Sequence, residues 1–192
     1  MIFGKTKKQE APSKAAPSLG AGNGSTAPPT AKAEPVTRPR DARQARMGQV
    51  FAQVVAVLMR DHNFRNMRLA DLEWLVLPPV MAGQFKFGHA MRPTDKTQQG
   101  GVSVPVAVAL WARVSPEVDK GLSEALDKPV RLPPNQWASG NILWLMAAAG
   151  DPRAKPHFLK QLAETEFKEQ HVKMRLRGPD GKVVVKALDQ AN

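Results

Sequence analysis

The stretch Leu69–Phe87, LADLEWLVLPPVMAGQFKF, constrains the fold more than any other segment. Leu69, Leu72 and Trp74/Leu75 recur at helical spacing, with Asp71 and Glu73 polar between them. Pro78-Pro79 is predicted to stop that helix, because proline removes an amide donor and its ring clashes with the preceding turn. Gly83 permits a bend, and Gln84 to Phe87 alternates like a strand. Helix, break and strand within so short a span predict a bend in a core. Trp74, Leu75, Val76, Leu77, Val80 and Met81 are together too apolar to leave in water.

Around that bend the chain alternates. Met47, Val50, Phe51, Val54, Val55 and Leu58 form one apolar helical stripe, ending near Met59 to His62. The segment from Gly88 to Ser103 has the composition of a flexible loop. Val102 to Ala112 is apolar and rich in β-branched residues, a buried strand with Pro105 at an edge or bulge. Ser115-Pro116 opens a helix, serine as N-cap and proline in the first turn, with Val118, Leu122, Ala125 and Leu126 facing inward. Pro133 to Gly140 is a turn, and Ile142 to Ala149 a second strand. Phe158, Leu159, Leu162 and Phe167 mark another helix, and the Gly178-Pro-Asp-Gly181 turn joins a closing hairpin. Helices alternating with strands predict a layered α/β domain with a mixed sheet.

Residues 1–46 differ from the rest. They are rich in Ala, Pro, Gly, Ser and Lys, with Phe3 the only aromatic, and are predicted to be a disordered basic tail. The folded domain is assigned to 47–192. The tail holds nine Lys/Arg against three Asp/Glu, so +6 of the chain's +11 lies there. A pI near 10.3 favours anionic partners and salt-sensitive association. The charge left on the domain is ordinary, and no nucleic-acid motif accompanies it. The chain has no cysteine, which excludes disulfides, thiolate nucleophiles and cysteine-based zinc sites. Its four histidines lack ligand spacing, so no metal is expected. No run reaches the ~18 apolar residues of a membrane span, and the N-terminus lacks the apolar core of a secretory signal.

Several landmarks occur together in order. They are Met47-Gly48-x-Val50, Leu69 to Pro79, Gly83-Gln84-Phe85, Pro105-Val106-Ala107, Trp111-Ala112-x-Val114-Ser115, and Trp137-x-Ser139-Gly140 with Trp144 beyond. In these the chain resembles the RTX toxin-activating lysine acyltransferase family, from Met47 nearly to the C-terminus. The resemblance implies an acetyltransferase-like (GNAT-like) α/β fold and transfer of a fatty acyl group to internal lysines of an RTX-type protoxin. It implies acyl carrier protein as donor, a cytoplasmic location and a homodimer. An acidic carrier suits the basic charge.

The family pattern implies a base, histidine, directly before the arginine of a Ser-Pro-x-His-Arg turn, and an aspartate a few residues after the Ser-Gly turn. A histidine can take the proton from an attacking lysine while a carboxylate orients the imidazole. Here the turn reads Asp61-His62-Asn63-Phe64-Arg65, which puts Phe64 at the histidine position. The aspartate position falls on Ala147, and Asn141 follows Ser139-Gly140. Two readings stay open. His62 takes over as base, with Asp61 or Asp151 as its carboxylate, or the chain keeps the fold for binding acyl carrier protein, a client or an active paralogue. Arg65 and Arg68 are candidates for meeting phosphates or acidic groups of the donor, or are solvated charge. Trp74, Trp111, Trp137 and Trp144 are candidates for an acyl groove or for core packing. Ser139 and Gly140 are candidates for presenting amides to a thioester oxygen or for a tight turn.

Overall fold

A computed structural model describes residues 39–92 and 101–188. The chain runs α1 (Pro39–Leu58), α2 (Asp71–Leu75), α3 (Leu77–Ala82), β1 (Phe85–Arg92), β2 (Val102–Val114) and α4 (Pro116–Glu124). After a 3-10 turn at Pro134–Gln136 come β3 (Ile142–Gly150), α5 (Lys155–Thr165), β4 (Val172–Arg177) and β5 (Val183–Ala187). The five strands form one sheet in sequence order, β1-β2-β3-β4-β5. Of the neighbouring strand pairs, β3 and β4 run parallel and the other three antiparallel. This is the mixed-sheet, acetyltransferase-like α/β architecture expected from the sequence.

Each sheet face carries its own core. On one, Val108, Leu110, Ala112 and Val114 of β2 pack with Trp144 of β3, Val54 and Val57 of α1, Leu122 of α4 and the buried Trp137. On the other, Trp111, Leu143 and Leu145 meet Phe158 and Leu162 of α5 and Phe167 just beyond it. Two-faced burial explains why β2 and β3 read as continuous apolar runs rather than alternating ones.

Several expectations need correction. The first helix starts at Pro39, so residues 39–46, assigned by composition to the tail, are helical. Pro39 sits where a missing amide costs nothing, and Ala42, Ala45 and the arginines are good helix formers. Residues 1–38 of the predicted tail lie outside the described residues. Pro78-Pro79 does end α2, but the pair sits in the first turn of α3 and stays helical, because orphan amides are tolerated there. Leu75, Val76 and Val80 are buried, whereas Leu77 and Met81 are 41% and 67% exposed. The predicted loop is shorter than its composition suggests. β1 extends to Arg92 and β2 begins at Val102, with residues 93–100 outside the described residues.

Other local readings hold. Gly83 takes a left-handed conformation (φ 69°) to end α3. The Ser115 hydroxyl accepts the Val118 amide, with Pro116 first in α4. Pro105 lies beside the bulge at Gly88/His89 and beyond the last β2–β3 pair, so its missing amide breaks no ladder there. Gly178 and Gly181 close the hairpin turn, with the Gly178 amide donating to the Lys182 carbonyl.

Candidate functional site

The sheet opens in the middle. β3 pairs with β2 along its whole length, but with β4 only at Leu143↔Val172, Trp144↔Lys173 and Leu145↔Met174. Where that pairing ends, Leu110 faces Ala147 and Trp111 faces Leu145, which leaves Met146 as an extra, bulged residue. A bulge bends its strand and re-aims the side chains beyond it. Met146 and Ala147 consequently both pack on the α1 face, whereas Leu143 and Leu145 before them pack on the α5 face. Beyond the bulge the last four residues of β3 have no ladder partner in β4.

The turn after α1 is tied to the end of that strand through Asp61. Its carboxylate accepts the Asn63 amide at 2.9 Å, the Gly150 amide at 3.0 Å and Lys155 Nζ at 3.1 Å. Asp61 is buried, so the turn is tied at once to the end of β3 and the start of α5. Burial pushes the carboxyl's pKa up, but the two amides and the Lys155 ammonium outweigh it and hold the pKa below its ordinary value. The Asp61 carbonyl also accepts the amides of Phe64 and Arg65, winding the turn tightly.

His62 projects from this turn with its side chain 77% exposed, Nδ1 3.9 Å from Asp61 Oδ1. That separation is longer than a hydrogen bond. The imidazole is open to a solvent-borne amine, while Asp61's bonds go to the scaffold. Asp151, the other candidate carboxylate, accepts the Arg153 amide and starts α5. Arg65 is exposed on the same turn as His62.

Phe64 and Ala147 belong to one apolar cluster. Ala147 is 5% exposed, and Phe64 packs half-buried against the same group. The two positions that the resemblance gives to a polar pair are thus brought to one side of the sheet, and both carry hydrocarbon.

The remaining candidates lie elsewhere. Trp111 is buried on the α5 face, edge-on to Phe167 at 5.1 Å between ring centres. Ser139 accepts the Ser115 amide and donates to the Gln136 carbonyl, both at 3.0 Å. Gly140 donates its amide to the Arg113 carbonyl, and a Cβ there would strike the Val114 carbonyl and Ser115. Ser139 and Gly140 precede β3, whereas Asp61 grips its last residue, eight steps or roughly 26 Å away. They shape the β2–α4 corner. Of the tryptophans, Trp137 and Trp144 are core, their indole N–H groups donating to the Leu132 carbonyl and to Asp119. Trp74 is half-buried and donates to Asp71, whose pKa that bond and the Arg68 amide lower.

Two further residues matter whose part in the structure the sequence does not show, Lys155 and the Gln84 of the Gly83-Gln84-Phe85 landmark. Lys155 neutralises Asp61 from the other half of the chain. Gln84 is buried, with the carbonyls of Trp111 and Trp137 each 3.1 Å from the end of its side-chain amide that carries the nitrogen once the amide is turned to satisfy them. Asp61-His-Asn63 carries an Asx-turn signal, but nothing in the sequence pairs it with residue 150 or 155.

Among the described residues no group of His, Asp or Glu could hold a metal ion, and no helix is long and apolar enough to cross a membrane. No curated protein matches the chain. The family model for RTX toxin acyltransferases matches residues 43–188, which takes in the bulged strand, the Asp61 turn and every candidate residue above. The chain belongs to the RTX toxin acyltransferase family.

Proposed function

We propose that this protein moves a fatty acyl group from acyl carrier protein to an internal lysine of an RTX-type protoxin in the cytoplasm. The observation that carries the reading is the family match over residues 43–188, which includes the bulged β3 and the Asp61 turn. The lysine Nζ attacks the thioester carbonyl; a C–N bond forms, the C–S bond breaks, and the carrier's thiol leaves. His62 takes the proton lost by the lysine and returns one to the departing sulfur, since it is the histidine on the turn where the family places its base. Arg65 beside it meets acidic groups of the donor. Trp111, Ser139 and Gly140 hold the frame.

A second reading rests on one specific observation. Phe64 and Ala147 fill the expected polar positions with hydrocarbon, and a base displaced by about 1 Å already costs ~100-fold in rate. On that reading the fold binds carrier, client or an active paralogue without turning over.

Mass spectrometry of a client lysine separates the two. Protein, acyl-loaded carrier and an RTX-type client are mixed, and wild type is compared with His62→Ala. An acyl-lysine that disappears in the variant supports His62 as base. Acylation that survives keeps the enzyme and removes His62 from its role. No transfer, with carrier or client still bound and an intact family member active in parallel, establishes the silent reading.

A further inference from the structure

Between the end of α1 and the turn beyond it lies a cavity of about 210 Å³. Its apolar walls include Leu58, Met59, Phe64 and Leu72, and Arg65 and Arg68 also line it. Leu69, another lining residue, is 86% exposed and Met59 67% exposed, so hydrocarbon is left in water at the mouth. Among the described residues neither Arg65 nor Arg68 forms an ion pair; Asp71 nearby is bridged to Arg131. Arg68 feels the nearby Asp71 carboxylate, which accepts its backbone amide, and Arg65 is the freer cation; an apolar recess rimmed by these two cations suits an alkyl chain with anionic groups at its mouth.

We propose that this cavity binds the hydrocarbon chain of the acyl substrate, with Phe64 in the wall that limits its length and Arg65 and Arg68 receiving the carboxylate of a free acid or, for a carried chain whose thioester head is neutral, acidic groups of the carrier. The inference rests on the acyl-transfer reading for the identity of the ligand. A dry cavity of about 150 Å³ holds one benzene, so this one has room for about eight carbons rather than a full long-chain acid. His62 stands two residues before Phe64 on the same turn and is not among the residues that line the cavity. The residue that displaced the expected histidine has thereby become a selector of chain length.

Equilibrium binding to the full chain tests this without relying on turnover. Straight-chain carboxylates of 4 to 14 carbons are titrated by calorimetry below their micelle concentrations. Affinity is expected to rise about fourfold per methylene, the ratio set by burying each group, and to level off near eight carbons. Phe64→Ala should move that break about two carbons longer, with Phe64→Leu as the gentler variant if alanine unfolds the turn. Arg65→Gln with Arg68→Gln should weaken octanoate about tenfold and spare octanol. Octanoate and octanoyl-loaded carrier protein, titrated in parallel, tell a free acid from a carried acyl group, and a break with either ligand supports the pocket. A rise that continues unbroken to 14 carbons, or a break that ignores Phe64, overturns the proposal. A Phe64-dependent break without lysine acylation keeps the pocket and removes the enzyme. Acylation with a length preference that ignores Phe64 does the reverse.

Discussion

Asp61 shows how one carboxylate can hold a site together without being its chemistry. All its hydrogen bonds are to scaffold groups, so removing it strands the Gly150 amide and the Lys155 ammonium. Asp61→Asn is expected to lower unfolding stability by about 2–4 kcal/mol, measured by urea denaturation. A carboxyl whose folded pKa lies below its unfolded value near 3.8 contributes stability above that value and loses it as pH falls toward the folded pKa. Below about pH 4 the wild-type melting temperature should therefore fall more steeply than that of Asp61→Asn. Phe64 and Ala147 make a second prediction. Ala147→Asp alone buries an unpaired carboxylate and should cost ~3 kcal/mol or more, while Phe64→His in the same molecule should recover ~1 kcal/mol, read from a double-mutant cycle. At this scale the sequence was informative where a residue acts on near neighbours, as Ser115 and Gly83 do. It was silent where partners are remote: the Gly150 and Lys155 contacts of Asp61 span 89 and 94 residues.

Elements were legible when their periodicity was unbroken and their ends were marked. The strands β2 and β3, the Ser115-Pro116 start of α4 and the closing hairpin all follow from local chemistry. The start of α1 was not, because a Pro/Ala/Arg run reads alike as tail and as exposed helix. The outer part of β1 was hidden for a similar reason: pairing with β2 orders Gly88 to Arg92 despite their loop-like composition. The bulge at Met146 was equally concealed, since it is a property of two strands in register and not of either alone. Gly150 at the end of β3 has φ 135°, and a Cβ there would meet the Val106 carbonyl and Ala107. Gly150→Ala should thus cost about 2 kcal/mol or more in thermal or chemical unfolding, and the loss should overlap that of Asp61→Asn rather than add to it.

For the whole molecule, charge is read directly from the residues but its use is not. Residues 1–38 carry six basic and two acidic residues, so removing them lowers the net charge from +11 to +7. The truncated chain should elute from a polyanion column at lower salt, because fewer cations contribute to screened attraction. Retention unchanged by the deletion would assign the anion affinity to the 39–192 part. Architecture was readable at this scale because two apolar strands, amphipathic helices and a terminal hairpin admit few packings. The convergence of Phe64 and Ala147 was not, since it depends on the bulge and the turn arriving on one face.

The bond from Asp61 to Lys155 also sets a schedule for manufacture. A chain grows at about 5–20 residues per second, so Lys155 is added roughly 5–20 s after Asp61. Until then the turn bearing His62 lacks its ion-pair anchor, and a ribosome-bound fragment ending before Lys155 carries the Asp61 carboxylate without that cation beside it. The turn after α1 is therefore among the last parts of the molecule to be secured, although it is made early.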